Sequence, residues 1–190
     1  MNEDRRTRRT RQLLRDAFLG LLKEKRYEDI SVQDIIERAD VARSTFYAHY
    51  VDKEDLLVGQ RGVFASDMKR HAELPQAEKK SQLIPPTCFW HNIVAQRDIF
   101  KIIARDSAMD VTMKDLHNKL YANMQAEIQQ HRLEQGVVPA SLIVDYLADS
   151  IITLVKWWVK QGMTYSPEQM DEIFHQMTMP LVGSKVPSYS

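Results

Sequence analysis

Residues 35–50 read Ile35-Ile36-Glu37-Arg38-Ala39-Asp40-Val41-Ala42-Arg43-Ser44-Thr45-Phe46-Tyr47-Ala48-His49-Tyr50. Ile35, Ile36 and Ala39 recur at helical spacing, and Val32 continues the stripe backwards. Ser31 precedes it with an acid, Asp34, at the third helical position, a capping-box start. The pattern predicts a short helix from Val32 to Ala39, a turn at Ala39-Asp40-Val41, and a second short helix from Ala42 to about His49. Short helix, tight turn and short helix make a helix-turn-helix. The second helix of such a motif enters the DNA major groove with its N-terminal residues near the base edges. Here those residues are Arg43, Ser44 and Thr45; Tyr47, His49 and Tyr50 add donors around the end of the helix, and Phe46 is the buried anchor.

Upstream, Leu13, Leu14, Ala17, Phe18, Leu21 and Leu22 form one apolar stripe, so residues 6–25 are expected to be helix 1. Tyr27 and Ile30 lie in the connection. Six arginines crowd residues 1–15, among them Arg5, Arg6 and Arg8, against the two acids Glu3 and Asp4. Placed just before helix 1, they are expected to reach the minor groove or the phosphates and release counterions. The formal net charge of the whole chain is zero, so only this local distribution points to nucleic acid. Downstream, Asp52 caps a fourth helix that opens Lys53-Glu54-Asp55-Leu56-Leu57 and is expected to run to about Arg70. Lys53 at that helix start is a candidate phosphate contact.

The stretch from Ile35 to Tyr50, followed by Asp52 to Leu57, resembles the DNA-binding domain of the TetR family, and Ala17-Phe18 with the Tyr27–Ser31 connection fits the same pattern. Asp40 stands where the family pattern has Gly; Asp tolerates the left-handed backbone better than most residues. The resemblance implies an all-α subunit of about nine helices, with a helix-turn-helix domain over residues 1–50 and a helical effector-binding and dimerisation domain over 51–190. It implies a homodimer through the last two helices, double-stranded operator DNA as partner, and a small-molecule effector. Carried over position by position, it makes Arg43, Ser44, Thr45, Tyr47, His49, Tyr50 and Lys53 DNA contacts. A repressor is the sign it implies by default.

The rest of the chain reads as helix after helix. Prolines in 72–86 predict a loop there; helices are expected at about 87–96, 98–106, 110–135, 140–161 and 166–179. From Ser141 to Val159, 13 of 19 residues are apolar and lie all round the helix, so it needs cover on two sides: its own core and a second subunit. Ser166-Pro167-Glu168 starts the last helix. An at least partly apolar effector pocket is expected to draw on Phe64, Met68, Phe89, Trp90, Ile93, Phe100, Met113, Tyr121, Met124 and Trp157, with Arg97, Arg105 and Asp106 as candidate orienters of a polar group. The same residues at helical spacing also suit a plain core.

Other classes find little support. With 44% apolar and 27% charged residues among 190, the chain can build a core without staples. The single Cys88, read as a buried hydrophobe beside Phe89 and Trp90, fits a reducing cytoplasm. No run is long and apolar enough for a membrane helix and no signal-peptide pattern opens the chain. Phosphate-loop, dinucleotide, zinc-protease and nucleophile-elbow motifs are missing. Ser66-Asp67-Met68-Lys69 matches a nucleophile pattern without its partner motifs, and no two His lie at i, i+4; no catalytic residue, cofactor or metal is expected. The alternative to a small-molecule effector is an adaptor, a helix-turn-helix protein whose C-terminal domain binds a partner protein.

Overall fold

A computed structural model of the chain describes residues 5–59, 87–104, 106–131 and 138–182, with side chains undescribed at 130, 131 and 179–182. Among them there are nine α-helices and no strand. They are α1 (Arg5–Glu24), α2 (Val32–Ala39), α3 (Arg43–Tyr47), α4 (Lys53–Gly59), α5 (Thr87–Ala95), α6 (Arg97–Ile103), α7 (Ala108–His131), α8 (Ala140–Lys160) and α9 (Pro167–Val182), with a 3-10 turn at Tyr27–Asp29. The chain divides into two units. One holds α1–α4 together with Asp98–Thr112; the other holds α5, α7 from Met113, α8 and α9.

In the N-terminal unit α1 buries Leu14, Ala17, Phe18, Leu21 and Leu22, a stripe at the helical repeat. Those residues pack against Ile35, Ile36 and Ala39 of α2. The predicted capping box is present: Asp34 N donates to Ser31 Oγ at 3.1 Å, and Ser31 N donates to the Asp34 carboxylate at 2.7 Å. Arg38 of α2 lies across Gly20 of α1, where a Cβ would come within 2.7 Å of its guanidinium, and reaches Glu24 at 2.6 Å. A glycine at 20 therefore permits that crossing. Asp40 ends α2 in the left-handed region, at φ 51 and ψ 51, as its turn position requires. Asp52 caps α4 by accepting from Asp55 N at 2.7 Å, while Asp55 accepts from Val51 N at 3.0 Å. The expected continuation of α4 to Arg70, the 72–86 loop and Ser66–Lys69 lie outside the described residues.

Residues 98–112 belong to this unit although the sequence placed everything beyond residue 50 elsewhere. Phe100, Ile103 and Ala108 are buried, and Asp106 bonds to Tyr27 N at 3.0 Å. A long-range contact of this kind has no signature in local periodicity.

In the second unit the core centres on Trp90 of α5. Its ring meets Phe89 at 5.0 Å, Trp158 of α8 at 6.1 Å and Phe174 of α9 at 6.3 Å. The indole does not leave its N–H unpaired: Nε1 donates to Asp171 at 3.2 Å, beside Thr87 Oγ1 at 2.9 Å. Burial of α8 is one-sided, through Val144, Leu147, Ala148, Ile151, Leu154, Val155 and Trp158. Its outer face mixes apolar Leu142, Tyr146 and Trp157 with Asp145, Asp149, Lys156 and Lys160, so the all-round apolarity of the sequence becomes a buried face and a mixed exposed one. Gly162, at φ 73, turns the chain out of α8. Ser166 then opens α9 with a capping box to Gln169, and Pro167 occupies the first helical position.

Candidate nucleic-acid interface

Alternation of anchor and exposed residue decides the geometry of α3. Phe46 is fully buried and holds the helix on the unit. Its neighbours Arg43, Ser44 and Tyr47 are exposed, and Thr45 and His49 are half-buried. Phe46 also fixes Tyr47, whose ring stands edge-on to it at 5.3 Å. Tyr47 in turn carries Arg43: the guanidinium lies 5.6 Å from the ring centroid, and Nη2 donates to Tyr47 Oη at 3.5 Å. A cation resting on an aromatic face is attracted by the ring quadrupole. The exposed face of α3 thus presents a guanidinium, a hydroxyl and a phenol from one rigid helix, the donor set that reads guanine edges and phosphates.

Tyr50 and Lys53 face into the N-terminal unit. Tyr50 is buried, its ring tilted on Phe46 at 5.9 Å and so close to Gly59 that a Cβ there would stand 3.3 Å away. Lys53 turns its ammonium inward. Nζ donates to Ile30 O at 2.7 Å, to Tyr27 O at 2.8 Å and to Glu28 O at 3.4 Å, and lies 4.4 Å from the centroid of the Tyr27 ring. An ammonium has three protons to donate, and three backbone carbonyls receive them. These carbonyls offset the unfavourable placement of a cation at the positive end of its own helix.

The 3-10 turn is gripped from its other side as well. Asp106 accepts from Tyr27 N through Oδ2 at 3.0 Å and from Ala108 N through Oδ1 at 3.0 Å, so one carboxylate caps α7 and ties it to the turn. Ser107 N donates to Glu28 Oε1 at 3.4 Å. Burial pushes the Tyr27 phenol well above its ordinary range, with Glu54, Asp52 and Asp106 adding to it. Nearby, the Ser31 hydrogen bonds and then Lys25, at 2.9 Å, hold the Asp34 carboxyl far below the usual carboxylate range. Sequence reading gave Asp106 to a ligand; an Asp two residues before a helix was the available sign of a cap.

Arg5, Arg6 and Arg8 are exposed, but they are not an arm ahead of the first helix: α1 begins at Arg5, and they occupy its opening turns. Arginine is a good helix former and nothing in this run breaks the helix.

The family models match the chain in both units. Residues 14–59 match the model of bacterial regulatory proteins of the tetR family, and residues 90–180 match that of a transcriptional regulator C-terminal region. The chain belongs to the TetR family of transcriptional regulators.

Relatives agree with that membership. The HTH-type transcriptional regulator YxbF of Bacillus subtilis (strain 168) is 26% identical over 180 residues, 91% of this chain and 45% of YxbF. The chain therefore spans less than half the length of that relative. The HTH-type dhaKLM operon transcriptional activator DhaS of Lactococcus lactis subsp. lactis (strain IL1403) is 38% identical over 48 residues, 25% of this chain and 26% of that protein. Among solved structures, the dihydroxyacetone kinase operon activator DhaS has the same fold: the TM-score is 0.56 at 18% identity, covering 93% of this chain and 98% of that one. A TetR-family regulator of Syntrophomonas wolfei str. Goettingen gives a TM-score of 0.53 at 20% identity, covering 95% and 98%.

In this TetR-family chain the residues expected to line an effector pocket fall into several places. Phe89, Trp90, Ile93, Met113 and Met124 are buried in the second unit. Phe100 is buried in the N-terminal unit. Tyr121 is half-buried, stacked on His117 at 6.1 Å, with its hydroxyl accepting from Gln125 at 2.9 Å. Trp157 is 38% exposed and faces Tyr165 at 5.4 Å. Phe64, Met68 and Arg105 lie outside the described residues. Arg97 donates to Gly162 O at 2.7 Å. Cys88 is exposed, not buried: Phe89, Trp90 and Ile93 take the inward phase of α5, and residue 88 falls on the other side. Among the described residues no helix is long and apolar enough to cross a membrane, and no group of three or more His, Cys, Asp or Glu could hold a metal ion.

Proposed function

We propose that this chain acts in the cytoplasm as a homodimer that binds a palindromic operator through α3, and that a small, partly apolar effector in the C-terminal domain changes its affinity for DNA. The observation that carries the reading is the exposed Arg43, Ser44 and Tyr47 on a helix anchored from behind by a fully buried Phe46. Arg43 reads a base edge; Ser44, Thr45, Tyr47 and His49 reach bases or phosphates; Arg5, Arg6 and Arg8 add backbone contacts. Tyr50 supports α3 from within through Phe46, and Lys53 holds the 3-10 turn. Dimerisation uses α8 and α9, a reading supported by exposed Leu142, Tyr146, Trp157 and Met177 on those helices. Two copies of α3 must stand about 34–36 Å apart to meet successive major grooves. An effector that prefers another separation weakens DNA binding by its differential affinity for the two states.

The sign we propose is repression, since a bound dimer blocks polymerase by occupancy alone. DhaS, similar to this chain in fold and over 48 residues, is named an activator, so a reporter assay that scores sign decides between the two. A second reading, the adaptor, is supported by Phe89 and Trp90, expected pocket residues that pack with Trp158 and Phe174 in the core of the second unit.

The test is selection of bound duplexes from a random pool, with Arg43→Ala as control. A palindrome enriched by the wild type and lost by the variant supports the reading. A confirmed dimer that enriches nothing at low salt, with or without a library of small apolar effectors, overturns it.

A further inference from the structure

A cavity of about 450 Å³ opens on the N-terminal unit between the end of α1 and α6. Its volume is in the range of small-ligand sites, about 300–1,000 Å³. Leu22 and Ile102 give it an apolar floor. Ionisable groups make the rim, and most are already engaged. Lys25 pairs with Asp34 at 2.9 Å, Arg26 with Glu28 at 3.1 Å, and Glu24 with Arg38 at 2.6 Å. Asp106, on the wall, accepts from the two backbone N–H groups of Tyr27 and Ala108.

Two cations remain. Lys23 and Lys101 line the cavity from different helices, both exposed, and no hydrogen bond or ion pair engages either among the described residues. The carbonyl end of α1 accounts for a cation at Lys23, in its last turn. Lys101 is placed in the same way, in the last turn of α6, and stands on the same rim. Unpaired positive charge above an apolar floor is complementary to one ligand chemistry.

We propose that this cavity binds a small organic anion with an apolar body, its charged group between Lys23 and Lys101 and its body on Leu22 and Ile102. A bare inorganic anion would leave the floor unused, and a neutral hydrocarbon would leave the two ammoniums unused. Every lining residue belongs to the N-terminal unit, and Asp106 alone is shared with the residues expected at the effector pocket.

The experiment is a fluorescence titration of the full chain at low salt with anilinonaphthalene sulfonate, an apolar body carrying one anionic group. Uncharged N-phenylnaphthylamine is the comparison. Two variants are used: Lys23→Gln with Lys101→Gln, both exposed and neutral to folding, and Ile102→Trp, which fills the floor. The wild type is expected to bind the sulfonate saturably at one site. Losing two exposed ion pairs weakens binding about tenfold. Ile102→Trp abolishes it, and the neutral probe binds the wild type and the lysine variant alike. Sulfonate binding that is equal in the wild type and both variants, with circular dichroism confirming the folds, overturns the proposal, because the probe then sits elsewhere. So does a lysine variant that weakens both probes equally, or a wild type that shows no saturable binding.

Discussion

Replacing Lys53 with methionine keeps the aliphatic stem and removes the ammonium, so it separates two roles that a lysine at this position could have. In the structure the ammonium serves three carbonyls, two of them at 2.7 and 2.8 Å, and the face of Tyr27 at 4.4 Å. Hydrogen bonds to a charged group contribute about 1.5–3 kcal/mol each, and an exposed cation–π contact about 0.5–1 kcal/mol. Lys53 is half-exposed, so water recovers part of this at the freed carbonyls. A net loss of about 2 kcal/mol is expected. For a chain of this size that lowers Tm by about 4–8 °C. The assay is urea or thermal unfolding at fixed protomer concentration, paired with operator affinity measured across a salt series. Each phosphate contact adds about 0.9 to the slope of log K against log salt. If Lys53 is internal, the slope is unchanged in the variant. If it were a phosphate contact in both protomers, the slope would fall by about 1.8. Unaltered stability together with that smaller slope would refute the clamp.

Three further outcomes are expected. Arg43→Ala costs about 1–3 kcal/mol of operator binding and relaxes preference at one base pair, with the unfolding midpoint unmoved; Tyr47→Phe keeps the ring under the guanidinium and most of the preference. Asp40→Gly is neutral or stabilises by up to about 1 kcal/mol in chemical denaturation, because residue 40 holds φ 51 in the left-handed region, whereas a β-branched residue there destabilises. The folded-state pKa of Asp34 is depressed, so its contribution to stability is complete above the ordinary carboxylate range and is lost as pH falls through that range toward the depressed value. Asp34→Asn should accordingly flatten the acid limb of a stability–pH curve below about pH 4 while leaving its neutral plateau parallel to the wild type.

Much of the DNA-binding unit could be read from residues because its determinants are local. Ser31 and Asp34 sit three apart, as a capping box demands, and the structure closes both bonds. Asp40 occupies a turn position that needs a left-handed backbone, and it adopts one. Ser166-Pro167 predicts the start of α9 for the same kind of reason. Direction within an exposed or half-exposed side chain is not local. Tyr50 follows the recognition helix by three residues and carries a hydroxyl, which is all that a sequence offers; its burial depends on the gap beside Gly59.

Lys53 shows the limit most clearly. Its motif position is right, and its charge is the kind that phosphates attract. What turns it inward is the 3-10 turn at Tyr27–Asp29, more than twenty residues away, which brings the carbonyls of Tyr27, Glu28 and Ile30 within reach of one ammonium. That turn is held in place by Asp106 on its opposite side, some eighty residues further on. Each side chain is ordinary on its own, and neither partner announces the other. The joint between α4, the turn and the cap of α7 is thus a property of three distant segments. Substitution at Asp106 should be felt at Tyr27 and Lys53, although no residue of that joint touches DNA in the proposed function.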